Sequence, residues 1–144
     1  MNQSLAGVRI IEFAALGPVS HATMLLTQLG AEVTQLRRPG TVPLALSATA
    51  SPAHSYEVDL KEEAGREYAR ELINSADVLI EGFRPGAMER LGLGPDEMTS
   101  SIPGLIYCRM TGWGQHGPLA QKAGHDINFL AETGALSSIR NAHS

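Results

Sequence analysis

Val8-Arg-Ile-Ile-Glu-Phe13, the turn at Gly17-Pro18, the run that ends at Leu29-Gly30 and then Ala31-Glu-Val-Thr-Gln-Leu36 form the stretch that decides the fold. Its two ends are short runs rich in β-branched residues and bounded by turn residues, which reads as a pair of buried strands. Between them Ala22, Leu25, Leu26 and Leu29 recur on one face of a helix, and Gly30 supplies a left-handed stop. A strand, a helix and a strand joined this tightly make a parallel, right-handed crossover unit. The turn Ala14-Ala-Leu-Gly-Pro18 lacks the spaced glycines that let backbone approach a dinucleotide's phosphates, so no nicotinamide cofactor is expected.

The same alternation continues downstream. Ser55-Tyr-Glu-Val-Asp59 reads as a third strand, and Asp59 with Glu62 as a capping box that opens a helix through about Ile73. Asp77 to Glu81 and Leu105 to Arg109 read as two further buried strands, with short helices between them around Met88 and Leu91 and after Gly94-Pro95-Asp96. Residues 41–55 hold no Asp, Glu, Lys or Arg and are rich in Ala, Ser, Thr and Pro, which predicts a flexible loop. The expectation is an α/β fold, an open and mainly parallel Rossmann-like sheet with flanking helices, as one domain over residues 1–144.

A net charge of −4 and a pI near 5.7 give no electrostatic reason to expect nucleic acid or an anionic membrane surface as partner. The single cysteine, Cys108, excludes an internal disulfide framework and sits in an apolar run, where it reads as a small buried hydrophobe. The N-terminus lacks a signal-peptide layout and no apolar run approaches about 18 residues, so the expected location is the cytoplasm. His21, His54, His116, His125 and His143 are scattered without ligand spacing, and no metal is expected.

In an open parallel sheet, ligands lie outside the carboxyl ends of the strands. Those positions hold Arg37 and Arg38, Asp59 to Lys61, Gly82 to Arg84, and Arg109 to Gly114, a concentration of cations suited to a phosphate-bearing ligand. After the last strand, Gly112, Gly114, Gly117 and Gly124 punctuate an irregular connection that ends at His125-Asp126, where Ile127, Leu130 and Ala131 begin a helical spacing. An imidazole at such a junction is by default a cap or a solvated side chain; it is also placed where helix N–H groups favour an anion or an enolate. From the residues alone both readings stay open.

The run Arg109-Met-Thr-Gly-Trp-Gly-Gln-His-Gly-Pro118, followed by Ala123-Gly-His-Asp-Ile-Asn-Phe129, resembles the family III CoA-transferase superfamily (CaiB/BaiF type), and within it the α-methylacyl-CoA racemase branch. Arg38-Pro39 and Val58-Asp-Leu-Lys61 match as well, and the likeness extends from about Leu5 to Arg140. It implies an isomerase of acyl-CoA and fatty acid metabolism that epimerises 2-methylacyl-CoA thioesters by α-proton abstraction through an enolate. It implies no required cofactor, with coenzyme A as part of the substrate, and a homodimer or association through exposed apolar surface. The resemblance makes His125 one of two acid/base groups. It assigns substrate and CoA contacts to Arg38, Val58, Asp59, Leu60, Lys61, Gly82, Phe83, Arg84, Arg109, Gly112, Trp113, Gly124, Asp126, Ile127, Asn128 and Phe129.

The alternatives are a family III CoA-transferase, in which an aspartate carries the acyl group, and a non-catalytic CoA-binding fragment. His125 favours the racemase, because the transferases usually hold a bulky non-basic residue there. Two departures qualify the match. A basic run that precedes Val-Asp-Leu-Lys in the family is Ala50-Ser-Pro-Ala-His-Ser55 here, and the family's second acid/base aspartate belongs to a Gly-Asp segment that these 144 residues do not contain. The expectation is therefore a shortened homologue of longer enzymes, with weak CoA binding.

Overall fold

The computed structural model describes residues 3–15, 17–41 and 52–139. Five strands, β1 (Arg9–Phe13), β2 (Glu32–Arg37), β3 (His54–Glu57), β4 (Val78–Glu81) and β5 (Ile106–Arg109), form one sheet in the order β3-β2-β1-β4-β5. Every pairing is parallel, so the expected α/β class holds, with a sheet that is parallel throughout. The helices are α1 (Pro18–Gln28), α2 (Glu63–Asn74), α3 (Ala87–Arg90), α4 (Pro95–Ser101), α5 (Asp126–Glu132) and α6 (Ala135–Ile139). The chain divides into two compact units, Met1–Met110 with the sheet and α1–α4, and Thr111–Ser144 with the glycine-punctuated loop, α5 and α6. No helix among the described residues is long and apolar enough to cross a membrane.

Successive strands of the first unit step one way from β1 to β3 and return to the other side of β1 for β4 and β5. Crossovers of a single hand must then place α1 on one face and the later helices on the other. The core agrees. Ile10, Val33 and Ile80 pack with Val19 of α1, whereas Ile11, Phe13, Leu36 and Leu79 pack with Ala69 and Ile73 of α2, Met88 of α3 and Met98 of α4. Strand order reverses at β1, so the crevice between the carboxyl ends of β1 and β4 is the topological switch point.

Three local expectations are corrected. The buried residues of α1 are Val19 and Thr23, while Leu25 and Leu29 are exposed, because the helix presents to the sheet a face offset from its leucines. Thr23 can be buried there because its hydroxyl donates to Glu12 Oε2 at 2.7 Å, so a polar position outranks an apolar one. The capping box at Asp59 and Glu62 does not form: α2 starts after Glu62, which offers no side-chain cap, and Asp59 Oδ1 instead accepts the N–H of Lys61 at 3.0 Å in a turn before the helix. Strand β3 begins at His54, inside the segment 41–55 expected as a loop, of which residues 42–51 lie outside those described.

Candidate functional site

At the carboxyl edge of the first unit, the strands deliver four groups of expected ligand contacts. Arg37 and Arg38 follow one another at the end of β2, yet only Arg37 is occupied: it donates to Ser55 Oγ at 2.7 Å and the Thr41 carbonyl at 2.8 Å, and it pairs with Glu57. Arg38 is exposed and has no ion pair among the described residues. The next group, Val58 to Lys61, is a rigid turn. Val58 is buried and its N–H donates to the Arg37 carbonyl at 2.7 Å, while Arg66 Nη1 donates to the Leu60 and Lys61 carbonyls at 3.0 and 2.7 Å. The backbone is held and the Lys61 ammonium is exposed.

One glycine fixes how closely α2 approaches that turn. A β-carbon on Gly65 would lie 2.1 Å from the Asp59 carbonyl oxygen. Glycine to alanine inside a helix ordinarily gains about 1 kcal/mol. Here the overlap is with backbone, so Gly65→Ala is expected to reverse that sign and destabilise by about 1–3 kcal/mol, the range for overpacking. A urea midpoint for Gly65→Ala at or above that of the parent would show that the turn yields.

The third and fourth groups are tied together by a carboxylate that the sequence reading passed over. Glu81, the last residue of β4, is fully buried; its Oε2 accepts the Phe83 N–H at 2.7 Å and its Oε1 accepts Arg109 Nε–H at 3.1 Å. Arg109 also pairs with Glu89 at 2.8 Å, so the guanidinium is spanned by two carboxylates and any phosphate reaching it must compete with them. Burial pushes the Glu81 carboxyl above its ordinary range, against the opposing pull of the Phe83 N–H and Arg109. Arg109 is held more firmly protonated than usual, because its hydrogen bonds to Glu89 and Glu81 outweigh the cost of its burial. Gly82 packs close to α1, where a β-carbon would lie 2.7 Å from Val19 Cγ2, and Arg84 is exposed with no ion pair among the described residues. A second missed carboxylate, Glu12 of β1, is buried and accepts from Ser20, Thr23 and Gln35. The signal for both was an acidic residue inside an otherwise apolar strand run.

In the second unit, His125 is the N-cap of α5, with extended backbone (φ −129°, ψ 173°) and an exposed side chain. Asn128 reaches back, its Oδ1 accepting the His125 N–H at 3.0 Å. The helix's first backbone bonds run from the Asn128 and Phe129 N–H groups to the His125 carbonyl, at 2.9 and 3.2 Å. The N–H groups of Asp126 and Ile127 precede those bonds and point out of the helix start. Asp126 and Ile127 are exposed, whereas Phe129 packs with Trp113, ring centroids 4.7 Å apart. Gly112 and Gly124 lie against the Phe129 ring, so these four expected ligand contacts also contact one another. Trp113 Nε1 and Gln115 Oε1 are buried with no hydrogen-bond partner among the described residues. No cluster of three or more His, Cys, Asp or Glu among the described residues is arranged for a metal ion.

Residues 5–142 match CoA-transferase family III. Over 135 residues the chain is 43% identical to the alpha-methylacyl-CoA racemase of Mus musculus, and over 136 residues 40% identical to that of Homo sapiens; each alignment covers 94% of this chain and 35% of the longer protein. The crystal structure of Rv3272 from Mycobacterium tuberculosis, described as a probable fatty acyl-CoA transferase, superposes with a TM-score of 0.85 at 35% identity, covering 96% of this chain and 41% of that one. The chain thus spans about a third of the length of the racemases it matches. A family match over nearly all of its residues, on the parallel sheet described above, means that the chain belongs to CoA-transferase family III.

Proposed function

We propose that the chain acts on 2-methylacyl-CoA thioesters as a racemase-type proton-transfer protein. Arg38, Lys61 and Arg84 serve the phosphates of coenzyme A, and His125 moves the α-proton. The observation that carries this reading is an exposed imidazole at the start of α5 in a chain 40–43% identical to two racemases. In the reaction the neutral imidazole takes the proton from the α-carbon, and the C–H electron pair becomes the enolate double bond while negative charge moves onto the thioester oxygen. The first-turn N–H groups of Asp126 and Ile127 are donors of the kind that stabilise such an oxygen. Protonation of the enolate by the same imidazolium restores the original configuration, and inversion requires a second acid on the opposite face.

A CoA-transferase reading is favoured by the likeness to Rv3272. Its nucleophile is an aspartate, and the transferases usually hold a bulky non-basic residue at the position where this chain has the imidazole of His125. The two readings part in deuterium oxide. With a single 2-methylacyl-CoA epimer, the 144-residue chain is expected to incorporate α-deuterium with configuration retained. Absence of deuterium from a folded sample that gives binding heat with acetyl-CoA would refute the proton-transfer reading. Loss of configuration as fast as exchange would instead assign a second acid within the chain, Asp126 and Glu132 being nearest to His125 in sequence.

A further inference from the structure

Resting on that proton-transfer reading, we infer that Phe129, whose ring end lies against Gly112 and Gly124 and which packs tilted against Trp113, is the positioning residue for His125 and not a ligand contact. A β-carbon on Gly112 would lie 2.5 Å from Phe129 Cζ, and one on Gly124 would lie 2.7 Å from the same atom and 2.8 Å from Trp113 Nε1. Neither glycine has a positive φ, so the missing side chain is a matter of space and not of backbone conformation. The Phe129 ring therefore occupies the room that side chains at 112 and 124 would need. One wall of that slot, Gly124, is bonded directly to His125.

Local geometry leaves little else to fix the imidazole's origin. None of the α5 residues is fully buried, and the helix is two turns long, too short to hold its own register. The side-chain holds at its start are the two halves of the capping box between His125 and Asn128, and one residue further on Phe129 supplies the apolar hold on the segment that leads into His125. Together they fix the backbone on both sides of position 125. A base must lie within about 3 Å of the atom whose proton it takes. A displacement of about 1 Å can cost on the order of 10²-fold in rate.

The test compares Phe129→Ala, Phe129→Leu and Gly124→Ala with the parent chain. Exchange of the α-proton gives kcat and KM, and amide hydrogen exchange reads the His125 N–H. Fluorescence reads Trp113, the only tryptophan in the sequence. In Phe129→Ala, kcat for exchange is expected to fall on the order of 10²-fold while KM changes by less than about 3-fold, with His125 N–H protection lost and the Trp113 spectrum shifted. Phe129→Leu, which refills the slot, is expected to recover part of kcat, and Gly124→Ala, which evicts the ring, to reproduce the Phe129→Ala result. An unchanged kcat in a folded Phe129→Ala chain, or a loss carried by KM, overturns the inference. Should the parent itself show no exchange that depends on His125, the proposed chemistry falls on its own. The amide then decides the positioning claim: protection lost in Phe129→Ala sustains it, and protection unchanged overturns it.

Discussion

Replacing Glu81 with alanine is expected to cost about 3 kcal/mol of stability at neutral pH, the lower end of the range for removing one partner of a buried ion pair. Two groups lose their acceptor together: the Phe83 N–H, now 2.7 Å from Glu81 Oε2, and Arg109 Nε–H, 3.1 Å from Oε1. The lower end applies because Arg109, 17% exposed, keeps Glu89. Glu81→Gln retains one acceptor where two are needed and is expected to cost about 1–3 kcal/mol, the penalty of one buried donor left unsatisfied.

The pH dependence of that loss has a definite sign. Burial raises the folded-state Glu81 above its ordinary 4.5, so just above pH 4.5 the folded chain holds a proton that the unfolded chain has released. The contribution is fully present below 4.5 and declines as pH rises through the folded value, and the alanine variant has no such contribution. The deficit of Glu81→Ala should therefore widen as pH is lowered from 7 toward 5. That window also avoids Glu89 and Asp77, both of which are held below their ordinary values. Urea unfolding of parent and variant at pH 7, 6 and 5 reads it directly, and a deficit that narrows with acid would mean that Arg109 outweighs burial in setting the Glu81 proton.

Much of the fold was legible because each strand carries its own signal. Runs such as Val8 to Phe13 and Asp77 to Glu81 are apolar, β-branched and bounded by turn residues, and four of the five strands lie where such runs predict them to within a residue, whereas the edge strand β3, exposed along its length, falls within two residues of Ser55-Tyr-Glu-Val-Asp59. Helix faces were less legible, since periodicity counts apolar side chains and cannot foresee that Glu12 would draw Thr23 into the core in place of Leu25. The ligand edge was partly legible. Sequence placed Arg37, Arg38 and Arg109 alike after strands, but which of them is already paired depends on Glu57, Glu81 and Glu89, brought close only by folding. Gly112 and Gly124 read as sites of close backbone approach. The approach is real, and the neighbour is the chain's own Phe129, 17 and 5 residues away respectively.

His125→Ala separates chemistry from structure most sharply. Loss of a general base is expected to lower α-proton exchange by about 10²–10⁴-fold. Stability should fall by no more than about 1 kcal/mol, the usual scale for losing an N-cap side chain. The reason lies in what holds the position: the His125 side chain is exposed, and of the capping box that starts α5 alanine keeps the bond from the backbone N–H to Asn128 Oδ1 and loses only the reciprocal hold of the side chain on the Asn128 N–H. Asn128→Ala is the complementary change, since it removes that contact and leaves the imidazole in place. Thermal unfolding alongside deuterium incorporation decides between the two roles. If His125→Ala unfolds many degrees below the parent, the imidazole is a structural element of the α5 start. If exchange in a folded His125→Ala chain equals that of the parent, some other group moves the proton, and the resemblance to the racemases does not extend to the chemistry at this position.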